Sequence, residues 1–315
     1  MAKILVTGSL GTLGRPLVAL LQSRGHSVVG CDLAHHRSEY APIVGVTEGD
    51  YYRCDVAEYS QLYGIFDGHD FDYVFHTAAE FGRWNGENHY PAVWRTNAVG
   101  TKHLIELQAD HHFRMVFFSS SEVYGNYAGV MSEDVTDAIP IRLLNDYAMS
   151  KAVSEQQIRN SAESFSAETV IIRLFNTYGP GEYYTPFRSV NCRMIYRALR
   201  REPFTVFKGH SRTSTWIDDA VRSIANTADV FKPGETYNIG GDELESIETM
   251  SHLACRATGA PLSLPQYADA EPLTTKTKVP DCTKAKRDLG HENTVSLADG
   301  LQHTADWMRT IYGDG

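Results

Sequence analysis

The stretch NDYAMSKA, residues 145–152, carries two groups that could move a proton together. It places the phenol of Tyr147 four residues before the ammonium of Lys151, and residues four apart share one face of a helix. An unperturbed tyrosine has a pKa of about 10, and a nearby cation lowers it by stabilising the phenolate. The pair alone also fits a solvated helix face. Read as chemistry, it predicts that Lys151 lowers the pKa of Tyr147, so that the phenol transfers protons near neutral pH.

A second candidate site lies in VTGSLGTLG, where Gly8, Gly11 and Gly14 are spaced G-x-x-G-x-x-G. Without side chains, these residues let the backbone approach a pyrophosphate closely. A helix that begins there offers free N–H groups and the positive end of its dipole. The next apolar run ends at Asp32, whose carboxylate would accept both hydroxyls of an adenosine ribose and repel a 2′-phosphate. The pattern predicts a dinucleotide site that takes NAD.

Two nearby groups of residues bear on this dinucleotide site. His35, His36 and Arg37 directly follow the acidic residue and leave NADP open as an alternative. Asp55 and Val56 follow the third predicted strand. Because the carboxyl ends of parallel strands meet at one edge, we expect this pair to hold the edge of the adenine ring.

The elements that must position these residues alternate along the first half of the chain. Short runs rich in Val, Ile and Phe indicate strands buried on both faces: KILVT, SVVGC, DYVFHTAA, RMVFFSS and TVIIRLF. Between them lie helical patterns such as LGRPLVALLQSRG and AVWRTNAVGTKHLIELQAD. Strands alternating with helices predict right-handed βαβ units and a parallel sheet.

The alternation of strand and helix patterns ends after about Asn176, where a loop rich in Gly, Pro and Tyr (NTYGPGEYYTPFRS) precedes a new helical pattern. We therefore predict an α/β fold: a Rossmann-type doubly wound parallel sheet with a smaller mixed α/β substrate domain. Residues 1–175 would form the dinucleotide domain and residues 176–315 the substrate domain, with a segment near 213–238 returning to the first. Open α/β sheets bind ligands at the carboxyl ends of their strands, where the second domain would rest.

Composition excludes several classes of function. The 315 residues carry a net charge of −10, which disfavours nucleic acid and anionic membranes as partners. No run approaches the roughly 20 apolar residues that span a bilayer, and MAKILVTGS leaves no room for a signal peptide. The five cysteines are scattered without a C-x-x-C pair, and no H-E-x-x-H is present. We expect reduced thiols, a cytoplasmic location and no metal site.

Six motifs occur in the order found in one large family: TGSLGTLG, HTAA, RTNAVGT, SSSEVYG, YAMSK and RLFNTYGPG. Over nearly its full length the chain resembles the extended short-chain dehydrogenase/reductase family, the NAD-dependent nucleotide-sugar epimerases and dehydratases. The resemblance implies that Tyr147 is the acid/base for a sugar hydroxyl. It implies that Lys151 holds the nicotinamide ribose, and that Ser120 shares the substrate oxygen with the tyrosine.

The resemblance also implies further binding residues. For the cofactor they are Leu13, Ala78 and Asn97, together with Tyr147 and Lys151. For a UDP-sugar they are Ser120, Ser121, Glu122, Asn176, Phe207, Arg212 and Lys278. Arg212 would bind the diphosphate, and Lys278 stands where many members carry a second arginine. Phe207 would stack on the nucleobase, or serve equally as a core residue.

Three reactions compete within this resemblance. The 4,6-dehydratases carry Asp-Glu after the hydroxyl residue, whereas this chain has Ser121-Glu122, which disfavours dehydration. Glu122 keeps decarboxylation of UDP-glucuronate open. A 4-epimerase needs only the tyrosine, the serine, the cofactor and room for the sugar to turn. Arg188 and Arg193 could bind a hexuronate carboxylate through a guanidinium fork, or lie at a surface helix start.

The expected function is therefore 4-epimerisation of UDP-glucuronate to UDP-galacturonate through a 4-keto intermediate. A UDP-glucose 4-epimerase, a UDP-glucuronate decarboxylase and a non-catalytic NAD-sensing protein remain alternatives. A homodimer, formed by the helix after Asn97 and the helix that carries Tyr147, is expected from the resemblance.

Overall fold

The computed structural model describes residues 1–34 and 50–313, so His35, His36 and Arg37 lie outside the described residues. In the described part the strands, in chain order, are β1 (Lys3–Thr7), β2 (Ser27–Asp32), β3 (Tyr51–Arg53), β4 (Tyr73–His76), β5 (Arg114–Ser120), β6 (Val130–Met131), β7 (Thr169–Leu174), β8 (Thr177–Tyr178), β9 (Phe204–Phe207), β10 (Ser211–Thr213), β11 (Thr215–Trp216), β12 (Thr236–Ile239), β13 (Leu244–Ser246), β14 (Pro265–Ala268) and β15 (Thr277–Pro280).

The α-helices of the described part are α1 (Gly14–Ser23), α2 (Tyr59–Asp67), α3 (Arg83–Asn88), α4 (Tyr90–Trp94), α5 (Gly100–His111), α6 (Val135–Ala138), α7 (Asp146–Phe165), α8 (Val190–Leu199), α9 (Ile217–Ala225), α10 (Ile247–Thr258), α11 (Thr283–Leu289) and α12 (Leu297–Tyr312). A π-helical turn, Arg95–Val99, joins α4 to α5, and 3₁₀ turns span Ser121–Tyr124 and Asn226–Ala228.

Seven parallel strands form the central sheet in the order β3-β2-β1-β4-β5-β7-β12. Alternate residues of each strand face opposite sides. In β5, for example, Met115 and Phe117 pack into one core, while Val116 and Phe118 pack into the other. Helices cover both cores, which explains why the strands read as continuous apolar runs. The predicted Rossmann-type doubly wound α/β fold is confirmed.

A smaller mixed sheet combines three strands from the second half of the chain with β6 from the first half, and the second half also adds one strand to the main sheet. The mixed sheet has the order β13-β10-β15-β6, with β13 antiparallel to β10 and the other pairs parallel. The last strand of the main sheet, β12, pairs with β7 from residue 236 onward. Between these elements the chain therefore crosses between the two sheets more than once.

The carboxyl ends of the central strands meet along one edge of the main sheet. Gly8 follows β1, Asp32 ends β2, Thr77 follows β4 and Ser120 ends β5. All four line a single cavity of about 690 Å³ between this edge and the second half of the chain. The fold therefore brings the separated motifs of the sequence to one place.

Candidate active site

Tyr147 lies in the first turn of α7 and faces the cavity. Asn145 begins this helix, its side-chain oxygen accepting the backbone N–H of Ala148 at 2.7 Å. The tyrosine is 4% exposed, and the ring of Phe81 packs edge-on against it at 5.7 Å between centroids. One helical turn later Lys151 lines the same cavity, as does Ser120 at the end of β5. The interpretation of Tyr147 and Lys151 as a solvated helix face is wrong, since both are buried.

The predicted effect of Lys151 on Tyr147 does not dominate in the structure. Burial raises the pKa of Tyr147, a hydrogen bond with Ser120 lowers it, and the charge of Glu122 raises it further. The ammonium of Lys151 instead donates to the carbonyl of Phe118 at 2.7 Å, and burial lowers the pKa of Lys151 to about 7. In the chain by itself desolvation acts on both groups and outweighs their spacing, so the lowering of the pKa of Tyr147 by Lys151 stays a prediction for the enzyme with its cofactor bound.

The glycine turn has the geometry that a dinucleotide pyrophosphate requires. Gly8 has φ +67°, and a Cβ there would lie 2.7 Å from the Cα of Ala78. A Cβ on Gly14 would lie 2.1 Å from the carbonyl oxygen of Gly8, so a side chain at either position would disrupt the turn. The first turn of α1 has no side-chain cap, although the N–H of Arg15 donates to the carbonyl of Gly11 at 3.2 Å and Pro16 has no N–H. An anion would therefore be bound by the positive end of the helix dipole and the remaining N–H groups of the turn. Gly11 and Leu13 also line the cavity, and the turn fits a pyrophosphate.

Asp32 lies where an adenosine ribose would be recognised. Its Oδ2 accepts the N–H of Leu10 at 3.0 Å, and its Oδ1 accepts that of Ala34 at 3.3 Å. Burial raises its pKa, although backbone hydrogen bonds oppose that shift. Val56 and Ala78 line the same end of the chain's cavity. The residues present therefore fit NAD.

Asp55 and Asn97 are engaged by other parts of the protein. Asp55 lines the cavity, but its carboxylate accepts a hydrogen bond from the guanidinium of Arg95 at 2.7 Å and another from the backbone N–H of Ala57 at 2.9 Å. Asn97, in the π-helical turn, is buried and is not among the described lining residues. Its amide accepts the N–H of Glu80 at 2.9 Å and donates to the carbonyl of Glu80. Asn97 thus supports the loop after β4 and touches the cavity only through it.

The other end of the cavity is lined by residues from both halves of the chain. Asn176 follows β7 with φ +42° and donates from Nδ2 to the carbonyl of Thr213 at 3.0 Å. Phe207, half-buried at the end of β9, lines the cavity. Ser121 is buried beside Ser120 and also faces the cavity.

Two arginines of this end carry buried atoms without a partner. The Nε groups of Arg188 and Arg193 are buried, and neither has a hydrogen-bond acceptor among the described residues. Both side chains line the cavity, and burial lowers the pKa of Arg193. A buried N–H without an acceptor is costly, so these positions are suited to an anion.

Glu122, Lys278 and Arg212 have partners within the protein that the sequence does not indicate. Lys278 is 2% exposed, is not among the described lining residues, and places its Nζ 2.6 Å from Oε1 of Glu122. Arg212 lines the cavity, but its Nη1 donates to the carbonyls of Ser211 and Lys276, and its Nη2 to Thr274 and Thr275. In the structure Lys278 is therefore the ion-pair partner of Glu122, and the guanidinium of Arg212 donates hydrogen bonds mainly to backbone carbonyls.

Three residues of the site were missed by sequence reasoning. Arg83, at the start of α3, and Glu271, after β14, line the cavity and form an ion pair at 2.8 Å. The arginine within AEFGRWNGE could have drawn attention to Arg83, but nothing in the sequence indicates that it pairs with Glu271. Glu155, one turn beyond Lys151 on the buried face of α7, accepts Ser119 at 2.5 Å and Arg173 at 2.7 Å. Its position four residues after the lysine was visible in the sequence.

Two negative findings apply to the described residues, 1–34 and 50–313. No three or more His, Cys, Asp or Glu side chains cluster there as metal ligands, and the five cysteines are all buried and free. Among the same residues, no helix combines the length and apolar character that crossing a bilayer needs.

Comparison with known proteins gives consistent matches along the chain. The sequence profile described as the NAD dependent epimerase/dehydratase family matches residues 4–240. A Bacillus subtilis protein named as an uncharacterized UDP-glucose epimerase, YtcB, is 31% identical, and the alignment covers 98% of this chain and 99% of that protein.

Two solved structures also resemble this chain over nearly its whole length. The UDP-glucose 4-epimerase of Thermotoga maritima, crystallised with UDP-glucose, is 26% identical with a TM-score of 0.87, covering 98% of this chain and 99% of that one. The UDP-glucuronic acid 4-epimerase of Bacillus cereus, in complex with UDP-glucuronic acid and NAD, is 27% identical with a TM-score of 0.84, covering 98% and 100%.

Proposed function

We propose that this chain, which belongs to the NAD dependent epimerase/dehydratase family, inverts the C4 hydroxyl of a UDP-sugar and converts UDP-glucuronate to UDP-galacturonate. Family membership makes it an NAD-dependent enzyme of nucleotide-sugar chemistry. One observation carries the finer proposal. A single cavity joins the glycine turn, Tyr147 with Ser120, and the two arginines whose buried Nε groups lack an acceptor, Arg188 and Arg193.

The cofactor supplies redox chemistry, and the chain supplies position and proton transfer. When bound, NAD would supply reversible hydride transfer at C4 of the sugar. The turn at Gly8, Gly11 and Gly14, with the amino end of α1, would hold the pyrophosphate, and Asp32 the adenosine ribose. Bound in this way, the dinucleotide would lie along the sheet edge that ends at Ser120.

Tyr147 is the group we assign to the proton of the C4 hydroxyl. The phenol lines the cavity and shares a hydrogen bond with Ser120, so one substrate oxygen could contact both hydroxyls. Because burial raises the pKa of Tyr147, the residue acts as a base only when positive charge offsets that burial. Lys151, one helical turn away, is the cation that the chain supplies, and Glu155 raises its pKa against burial.

The uronate is the substrate that accounts for the arginines. A hexuronate carries a carboxylate on C5, and a guanidinium binds a carboxylate through two parallel hydrogen bonds. Arg188 and Arg193 lie on the same side of the cavity, at and just inside the start of α8, where Ser189 caps the helix. A carboxylate offers these Nε groups two charged acceptor oxygens, whereas the C6 hydroxyl of a neutral hexose offers one uncharged acceptor, which favours the acidic sugar.

Decarboxylation of UDP-glucuronate is the second candidate, and Glu122 is the observation that favours it. This acid lines the cavity one residue beyond Ser121. Burial alone would raise its pKa, but the charges of Lys278 and Arg83 lower the pKa below its ordinary value. Glu122 is therefore an anion held close to the candidate hydroxyl residues. The alternative uses the same cavity and the same first oxidation.

Product analysis separates these reactions. The enzyme is incubated with NAD and UDP-glucuronate, and the products are examined by NMR; UDP-galacturonate is the expected product. UDP-xylose or a 4-keto pentose would show decarboxylation and overturn the epimerase assignment. Turnover of UDP-glucose alone would make the enzyme a UDP-glucose 4-epimerase and remove the role of the two arginines.

A Tyr147→Phe variant tests whether the chain is a catalyst or an NAD-binding regulator. The variant keeps the ring that packs on Phe81, so NAD binding should be unchanged. Turnover should fall about 100-fold or more, because a general acid/base contributes on that order. Unchanged turnover would contradict the role of the phenol and favour a non-enzymatic function.

We also propose a homodimer formed through α5 and α7. Three apolar side chains near these helices are exposed in one chain: Tyr90 by 46%, Val99 by 36% and Met149 by 41%. A second copy packed there would cover them. Light scattering in solution tests this, and a mass of one chain at micromolar concentration would contradict it.

A further inference from the structure

Residues 271–276, which connect β14 to β15, form a strap against the substrate end of the cavity. Arg83 donates to the carboxylate of Glu271 at 2.8 Å and to the carbonyl of Pro272 at 3.4 Å. Asn145, the residue that begins the catalytic helix, donates to the carbonyl of Leu273 at 3.1 Å. Arg212 binds the remaining three residues of the strap, at 2.6–3.0 Å. The strap is thus held by three side chains that belong to other elements.

The backbone of the strap is strained where these contacts meet. Leu273 has φ +63°, a conformation that costs a bulky non-glycine residue free energy. Such a residue keeps this conformation only when its surroundings hold it there. Residues 274–276 keep further partners, since the hydroxyl of Thr275 donates to the carbonyl of Gly125 and the N–H of Ser211 donates to that of Lys276. Releasing Arg83 would therefore let the end of the strap around Leu273 move, since the strain there favours leaving this arrangement.

The charges near the strap explain what could release it. Arg83, Arg193 and Arg212 are close enough that the charge of Arg83 lowers the pKa of the other two, whereas Glu271 raises both. Glu271 therefore neutralises a group of mutually repelling cations. Of the other acids lining this end, Glu122 is paired with Lys278, and Glu182 accepts the backbone and hydroxyl of Ser189. Glu271 is therefore the acidic residue that the strap itself contributes to this end of the cavity.

We propose that the strap is a gate over the substrate end of the cavity, latched by the Arg83–Glu271 ion pair, and that an anionic substrate opens it by taking Arg83 from Glu271. The inference rests on the proposed function for the identity of that substrate. A diphosphate or a carboxylate replaces the negative charge of Glu271, so the charge balance among the arginines is kept while the strap moves. Glu271 thereby selects against uncharged ligands, which cannot replace it.

The test measures binding to the NAD-loaded enzyme, with UDP-glucuronate, UDP and neutral uridine as probes. Glu271→Gln removes the competing charge and should bind both anionic probes about fivefold more tightly, with uridine affected less. Glu292→Gln, the same change at an exposed position between α11 and α12, should leave all three affinities unchanged. NAD affinity should be the same in every variant, which a general loss of structure would not allow.

A second variant separates the latch from a merely local effect. Arg83→Gln should weaken binding of the anionic probes, and adding Glu271→Gln to it should change nothing further, because the latch is already absent. Unchanged or weaker binding by Glu271→Gln would overturn the gate, as would additive effects in the double variant. Tighter binding without epimerisation would support the gate and refute the proposed reaction. If neither UDP nor UDP-glucuronate binds the wild type, both proposals fail.

Discussion

Lys278 and Glu122 form an ion pair, with 2.6 Å between Nζ and Oε1, that links strand β15 of the mixed sheet to the turn after β5 of the main sheet. Lys278 is 2% exposed, and burial lowers its pKa to about 8 while Glu122 opposes that shift. Asn145 donates to the other oxygen of Glu122 at 3.2 Å, so the same carboxylate also touches the start of α7. The pair therefore fixes the start of α7 relative to β15 of the mixed sheet.

Removing the ammonium should destabilise the fold. Lys278→Met leaves the carboxylate of Glu122 buried with Arg83 as its nearest remaining cation, at 3.7 Å. We expect a loss of about 2 to 3 kcal/mol in the free energy of unfolding, measured by urea titration. Lys278→Arg keeps the charge and should lose less, and Glu122→Gln in the methionine background should recover part of the loss. Equal stability of Lys278→Met and the wild type would refute the role of the pair.

The buried ammonium of Lys151 should make stability depend on pH. Its pKa falls from 10.5 unfolded to about 7 folded, so between these values the unfolded chain binds more protons than the folded one. The free energy of unfolding attributable to this group should therefore rise as pH increases from about 7 toward 10. The Lys151→Met variant lacks this pH-dependent contribution to the free energy of unfolding. Its stability relative to the wild type should therefore be greatest near pH 6 and decline toward pH 9. Urea titrations across that range check this, and a constant difference would contradict it.

The glycine turn offers a matched pair of substitutions. Gly14→Ala places a Cβ 2.1 Å from the carbonyl oxygen of Gly8, whereas Gly64→Ala, within α2, meets no atom within 4 Å. We expect Gly14→Ala to lose NAD binding by at least about tenfold, because the backbone can no longer approach the pyrophosphate. Gly64→Ala should bind NAD normally and gain roughly 0.5 to 1 kcal/mol of stability from helix propensity. Calorimetric titration with NAD decides, and equal affinities would show that the turn does not hold the cofactor.

Arg193 should discriminate between acidic and neutral sugars. Arg193→Met keeps an apolar stem in the first turns of α8 but removes the guanidinium, and KM for UDP-glucuronate should rise by about 10-fold or more. The KM for UDP-glucose should change little. Arg197→Met is the matched control, since Arg197 lines the cavity one turn later and is paired with Glu202 at 3.3 Å. Equal effects on both sugars would place Arg193 on the diphosphate instead of the carboxylate.

The local patterns of the sequence determined the parallel sheet and the glycine turn. Both depend on short-range interactions. Apolar runs buried on two faces must become central strands. Only glycine fits at residue 14, where a Cβ would lie 2.1 Å from the carbonyl oxygen of Gly8. Because the carboxyl ends of such strands share an edge, the order of motifs was enough to bring Gly8, Asp32, Ser120 and Tyr147 to one cavity.

Only the tertiary structure decided the electrostatics of the site. The spacing of Tyr147 and Lys151 was readable in the sequence. Their burial, which is the largest cause of both pKa shifts, was not, and neither was the hydrogen bond from the ammonium to Phe118. Likewise Lys278 and Arg212 were recognisable as cations, while their partners lie far away in sequence or are backbone carbonyls. Sequence gives the identity of a charge, whereas its pKa and its partner depend on distances and desolvation that exist only after folding.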